Sequence, residues 1–121
     1  MRIEDTYVRI DGGVGNIATP IQMQCFPLYS ILKSIEKTNF EYLSLDIEGT
    51  EYSVLNSAFK SNNDFKFDVG TIETSHLNFR QFQGSHLELM YLMKQKGYEL
   101  EKHIGEDDVF IHKNFKISLS K

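Results

Sequence analysis

Cysteine is nearly absent from this chain. Its one copy, Cys25, has no internal partner, so neither a disulfide framework nor a zinc site built on paired cysteines organises the fold. Cys25 is expected as a small apolar residue on a strand. Long hydrophobic runs are missing too. No stretch approaches the roughly 20 apolar residues of a membrane-crossing helix, and the opening MRIEDTYVRI has no apolar signal-peptide core, so the chain as written reads as soluble. Positive charge is not clustered. The 13 lysines and arginines are scattered against 17 acids, for a net charge of -4, and the pI is near 5.5. That balance argues against a nucleic-acid groove or an anionic membrane surface as partner. Proline occurs twice, at Pro20 and Pro27, and both copies serve below as boundary marks. There are no repeats and no low-complexity segments.

What is present suffices for one core: 121 residues, 40% hydrophobic and 12% aromatic. Residues 21–26, IQMQCF, alternate as a strand does. Behind Pro27, the residues Leu28, Ile31, Leu32 and Ile35 fall at i, i+3, i+4 and i+7, a helix with one buried stripe. Residues 42–47 form a compact apolar strand closed by Gly49; Val54, Leu55, Ala58 and Phe59 then restore helical spacing, with Thr50 as cap. FDVGTIE makes another strand ending at Glu73. After a loop, Ser85-x-x-Glu88 is a capping-box signature and Gly97 a helix stop. Between them, Leu87, Met90 and Tyr91, flanked by Met93, read as the core stripe. YELEKHI and DDVFIHK close the chain as an antiparallel hairpin with its turn at Gly105 and Glu106. Strand, helix, strand, helix, strand, helix and hairpin imply an α/β fold with a mostly parallel sheet and an antiparallel end.

VRIDGGVGNIA, residues 8–18, has the look of a phosphate-binding turn, Gly13-x-Gly15-x-x-Ala18. Such a turn works only where a strand leads into a helix whose amides meet the phosphate. Here Pro20 follows two residues after Ala18 and the next residues alternate as a strand, so a glycine-rich hairpin or loop is expected instead.

In parallel sheets ligands bind beyond the carboxyl ends of the strands. Asp46 and Glu48 bracket one such end and Glu73 terminates the next strand, with His76 three residues on. Three readings stay open for them. Asp46 and Glu48 can contact a small ligand or act as a general base. Asp46, Glu48, Glu73 and His76 can form a metal site. Alternatively, Asp46 or Glu48 caps the following helix and the rest are solvated. His86, His103 and His112 are expected as surface or partly packed residues, and Asp107 and Asp108 as turn residues.

With QCFPLYSIL, YLSLDIEGTEYSVL, IET and KGYEL…DDVFIHK in this order, the chain resembles the C-terminal half of FkbM-type methyltransferase domains, most closely the animal Star-protein branch. The likeness covers residues 20–113, between a glycine-rich segment at 1–19 and a tail at 114–121. It implies the C-terminal portion of a Rossmann-like fold that uses S-adenosylmethionine for O-methyl transfer. Asp46, Glu48 and Gly49 match the family's acidic strand-end motif: Asp46 and Glu48 as catalytic positions, and Asp46, Gly49 and Glu73 beside the cofactor. Glu51 matches a further acidic position with no assigned role. The family's cofactor turn stands well upstream of QCFPLYSIL, so the domain is expected to be incomplete and inactive alone, with S-adenosylmethionine implied by the resemblance only. The partner is a small-molecule, glycan or lipid acceptor if the chain is an enzyme. It is a protein if the chain is a Star-like trafficking scaffold, whose relatives suggest the endoplasmic reticulum, Golgi, endosome or plasma membrane.

Overall fold

The computed structural model describes residues 22–75 and 85–120. The glycine-rich stretch at 8–18, Pro20 and His76 lie outside them. The elements run α1 (Leu28–Ile35), β1 (Asn39–Leu45), α2 (Glu51–Ser61), β2 (Lys66–Glu73), α3 (His86–Gln95), β3 (Tyr98–Ile104), β4 (Asp107–His112) and α4 (Lys113–Leu119). The expected strand at 21–26 is represented only by a single bridge residue, Met23, which is exposed, as is Cys25.

The four strands form one mixed sheet in the order β1-β2-β4-β3. β1 pairs with β2 in parallel, while β4 pairs antiparallel with both β2 and β3. Most of the described pairing is therefore antiparallel, which corrects the expected mostly parallel sheet. The reason is topological: β4 does not stay at the rim of its hairpin but turns back between β2 and β3, so that both of its ladders are antiparallel.

The core forms on the face where the helices sit, with α1 packed on α2 and α2 on α3. Along β4 every second residue is buried, Asp108, Phe110 and His112, while Asp107, Val109 and Ile111 are only half-buried. Phe59, Phe65, Phe67 and Tyr98 form an aromatic cluster in which the Phe67 and Tyr98 rings stack at 4.4 Å between centroids. Leu55, Ile72, Leu89 and Met93 complete it, all fully buried.

Two helices bury different residues than their spacing suggests. On α1 only Leu32 is buried, with Leu28 half-buried; Ile31 and Ile35 are exposed, because β1 is the outermost described strand and nothing described lies beyond it to cover them. On α3 the core residues are Leu89, Leu92 and Met93, whereas Leu87 and Tyr91 face solvent. The sequence HLELMYLMKQ is apolar on several faces at once, so the direction of the core is decided by what α3 packs against. The ends of α3 are chemical. Ser85 accepts from the Glu88 amide, and Glu88 returns the contact to the Ser85 amide. Gly97 then takes a φ of 91° that a side chain would strain.

The register of α3 is testable. Leu89→Ala should lower unfolding free energy by about 2–5 kcal/mol, as expected of a filled core position, and Leu87→Ala by less than about 0.5 kcal/mol. Urea denaturation of both variants measures this, and equal losses would place the core stripe wrongly.

Candidate functional site

β1 and β2 end side by side at Leu45 and Glu73, and Glu73 pairs with Asp107 at the start of β4, next to the end of β3. The carboxyl ends of three strands and the closing hairpin turn thus share one end of the sheet. There Asp46, Glu51 and Glu73 converge, with one carboxylate oxygen from each within 4.8 Å of the others. Asp46 is exposed, while Glu51 and Glu73 are buried. Glu73 Oε1 accepts the Ser75 hydroxyl at 2.8 Å.

The turn that carries Asp46 into this group is built on two successive left-handed residues, Glu48 at φ 59° and Gly49 at φ 108°. For Gly49 that conformation is free, whereas for Glu48 it costs on the order of 1–2 kcal/mol. The turn points backbone amides inward, and Glu51 supplies the anion they face: its two oxygens accept the Ile47 and Gly49 amides, each at 2.9 Å. These bonds satisfy both oxygens of the buried side chain and anchor the first turn of α2. Thr50 occupies the N-cap position, but its side chain does not cap the helix; the hydroxyl donates to the Ile47 carbonyl instead.

Of the positions singled out in the sequence, Asp46 and Glu73 are therefore brought together, with Gly49 buried in the turn between Asp46 and α2. Glu48 stands outside the converging group with its side chain exposed, and His76 lies outside the described residues. The third member of the group is Glu51. Three carboxylates this close make a strongly anionic spot, suited to an organic cation or a hard metal ion.

A second cluster lies at the same end of the sheet, and it overturns the expectation for Asp108. This residue is not in a turn: it sits within β4, 1% exposed, opposite Ile72 on one side and His103 on the other. One carboxylate oxygen accepts from His86 Nε2 at 2.6 Å and the other from His103 Nδ1 at 2.5 Å. Two histidines expected as surface or partly packed residues, and in fact partly exposed, are thus the partners of this buried acid. They also tie the first residue of α3 to the end of β3. The hydrogen bond to Asp108 raises the pKa of His103 above its usual 6.5, with desolvation acting against it and the negative charges of Asp108 and Asp107 adding to it. The signal in the sequence was the alternation Asp108, Phe110, His112, which places the acid on the buried face.

Residues 4–100 match the family profile of the methyltransferase FkbM domain. No curated protein and no solved structure matches the chain. Among the described residues no helix is long and apolar enough to cross a membrane.

The clasp around Asp108 predicts a pH signature. A raised histidine pKa means that the contribution of the charged pair is complete below about pH 6.5 and is lost as pH rises through the higher folded-state value. The urea midpoint of the native chain should therefore exceed that of His103→Gln by more at pH 6 than at pH 9. An equal margin at both would contradict the clasp.

Proposed function

The chain belongs to the FkbM methyltransferase family, and from that premise we propose that it forms the carboxylate-bearing half of a Rossmann-like domain for S-adenosylmethionine-dependent O-methyl transfer. The observation that carries this reading is the convergence of Asp46, Glu51 and Glu73 beyond the ends of two parallel strands, where such folds hold their ligands. The chemistry of the donor set fits the cofactor, which carries an ammonium at its amino-acid end and a sulfonium at its centre. When bound, it supplies an electrophilic methyl group.

In this proposal the exposed carboxylate of Asp46 takes the cationic or hydroxyl groups of the cofactor, and Gly49 lets backbone approach it closely. Glu48, on the outer side of the same turn, accepts the proton of an acceptor hydroxyl as it is methylated. Glu73, buried at the end of β2, adds a second carboxylate facing the same space. Glu51 is a positioning residue, since its oxygens are engaged by the turn. The acceptor is a small molecule, glycan or lipid that presents a hydroxyl. We propose in addition that this chain alone binds cofactor weakly and does not turn over.

Titration with S-adenosylhomocysteine, followed by amide NMR, tests this. The expected result is a set of fast-exchange shifts confined to residues 46–51 and 73, absent in Asp46→Ala. No shifts from a chain shown to be folded would contradict the cofactor reading and favour a protein-binding scaffold. Tight stoichiometric binding would contradict the incompleteness.

A further inference from the structure

The opposite end of the sheet carries the opposite chemistry. A cavity of about 380 Å³ opens there, where β1, β2 and β3 begin and β4 ends. Its apolar wall includes Phe59 and Phe65, whose ring centroids lie 5.2 Å apart. Its polar lining includes Lys66, Lys96, Tyr98 and His112.

The proton inventory of these four is one-sided. The Tyr98 hydroxyl oxygen already accepts the Phe67 amide at 3.0 Å, so the hydroxyl has its proton left to give. Burial pushes its pKa up to about 12, which keeps that proton in place. His112 Nδ1 accepts the Asn114 amide at 3.2 Å, which fixes the tautomer and leaves the ring proton on Nε2. Burial lowers the His112 pKa, and the positive charges of Lys66 and Lys113 lower it further against the opposing effect of Asp68. The ring is therefore a neutral donor standing in a positive field. The ammonium of Lys96 lies 5.8 Å from the centre of the Phe59 ring, at the junction of the charged and apolar linings. Asp64 is the one acid among the lining residues. Two ammonium groups, a phenol and an imidazole N–H thus share one concavity with a single carboxylate in its lining, while Asp68 acts on Tyr98 and His112 from outside it.

We propose that this cavity is a binding site for a small aromatic anion, with its carboxylate or phosphate held by Lys66, Lys96, Tyr98 and His112 and its ring against Phe59 and Phe65. The site is independent of the methyltransferase reading: it shares no residue with the carboxylate group and lies at the other end of the strands. Its volume falls at the small end of the range for organic-ligand pockets, which suits a single ring with one charged substituent.

The test is a titration of the 121-residue chain with phenyl phosphate, benzoate and inorganic phosphate, followed by NMR of the Tyr98 and His112 rings. Phenyl phosphate and benzoate should give saturable shifts at both rings and raise the pKa of His112, since a bound anion favours the imidazolium. Inorganic phosphate, lacking the ring, should bind more weakly than phenyl phosphate. Lys66→Gln and Lys96→Gln should each weaken binding about tenfold, the loss of one charge-assisted hydrogen bond. Asp64→Asn should strengthen it. Comparing phenyl phosphate with benzoate identifies the preferred head group. Shifts that do not saturate, that persist unchanged in both lysine variants, or that respond to Asp64→Asn in the wrong direction would overturn the proposal.

Discussion

The buried carboxylate of Glu51 is the constraint on which the ligand end of this fold depends. The chain passes from β1 into α2 through a five-residue turn, and two left-handed residues in that turn aim the turn's own amides, those of Ile47 and Gly49, at one point. Glu51 meets them from below, one oxygen to each. That contact determines where Asp46 sits, and through it how close Asp46 comes to Glu73 on the neighbouring strand. The strain at Glu48 persists because the rest of the turn over-determines it.

The same logic of a buried charge matched by local donors recurs at Asp108, and it has structural reach. Asp108 lies in the strand that turns back into the sheet, and its two histidines come from the first residue of α3 and from β3. One carboxylate therefore ties together the strand, the helix and the hairpin around the carboxyl end. Acidic groups and their partners gather there, while lysines, a tyrosine and an imidazole gather at the opposite end. The sheet has a chemical polarity along its strands, although the net charge of the chain is only modestly negative.

Features with a local cause were legible in the sequence. The Ser85-x-x-Glu88 box, the left-handed Gly97, the strand from Tyr98 and the hairpin turn at Gly105 follow from rules that span a few residues, and the structure carries each. Features decided by distant partners were not. The placement of β4 between β2 and β3 is a long-range choice that element order leaves open, and with it goes the balance of parallel and antiparallel ladders. The α3 stripe was ambiguous because Leu87, Leu89, Met90, Leu92 and Met93 offer more than one apolar face. α4, beyond residue 112, escaped notice because its seven residues bury nothing fully and rely on His112 as cap. In the site, the strand-end acids Asp46 and Glu73 stood out by position. Glu51 matched an acidic position of the resembled family but had no role assigned, because its place in the first turn of a helix does not show which amides it will meet, and Asp108 was hidden in a run of acids that resembles a turn.

Amide hydrogen exchange at Ile47 and Gly49, compared between the native chain and Glu51→Gln, tests the central contact most directly. A glutamine keeps one acceptor and places a donor where the second stood, so one of the two amides should exchange about tenfold faster while the β2 amides keep their protection. Unchanged exchange at both positions would mean that the turn holds itself, and that Glu51 does not place Asp46 beside Glu73.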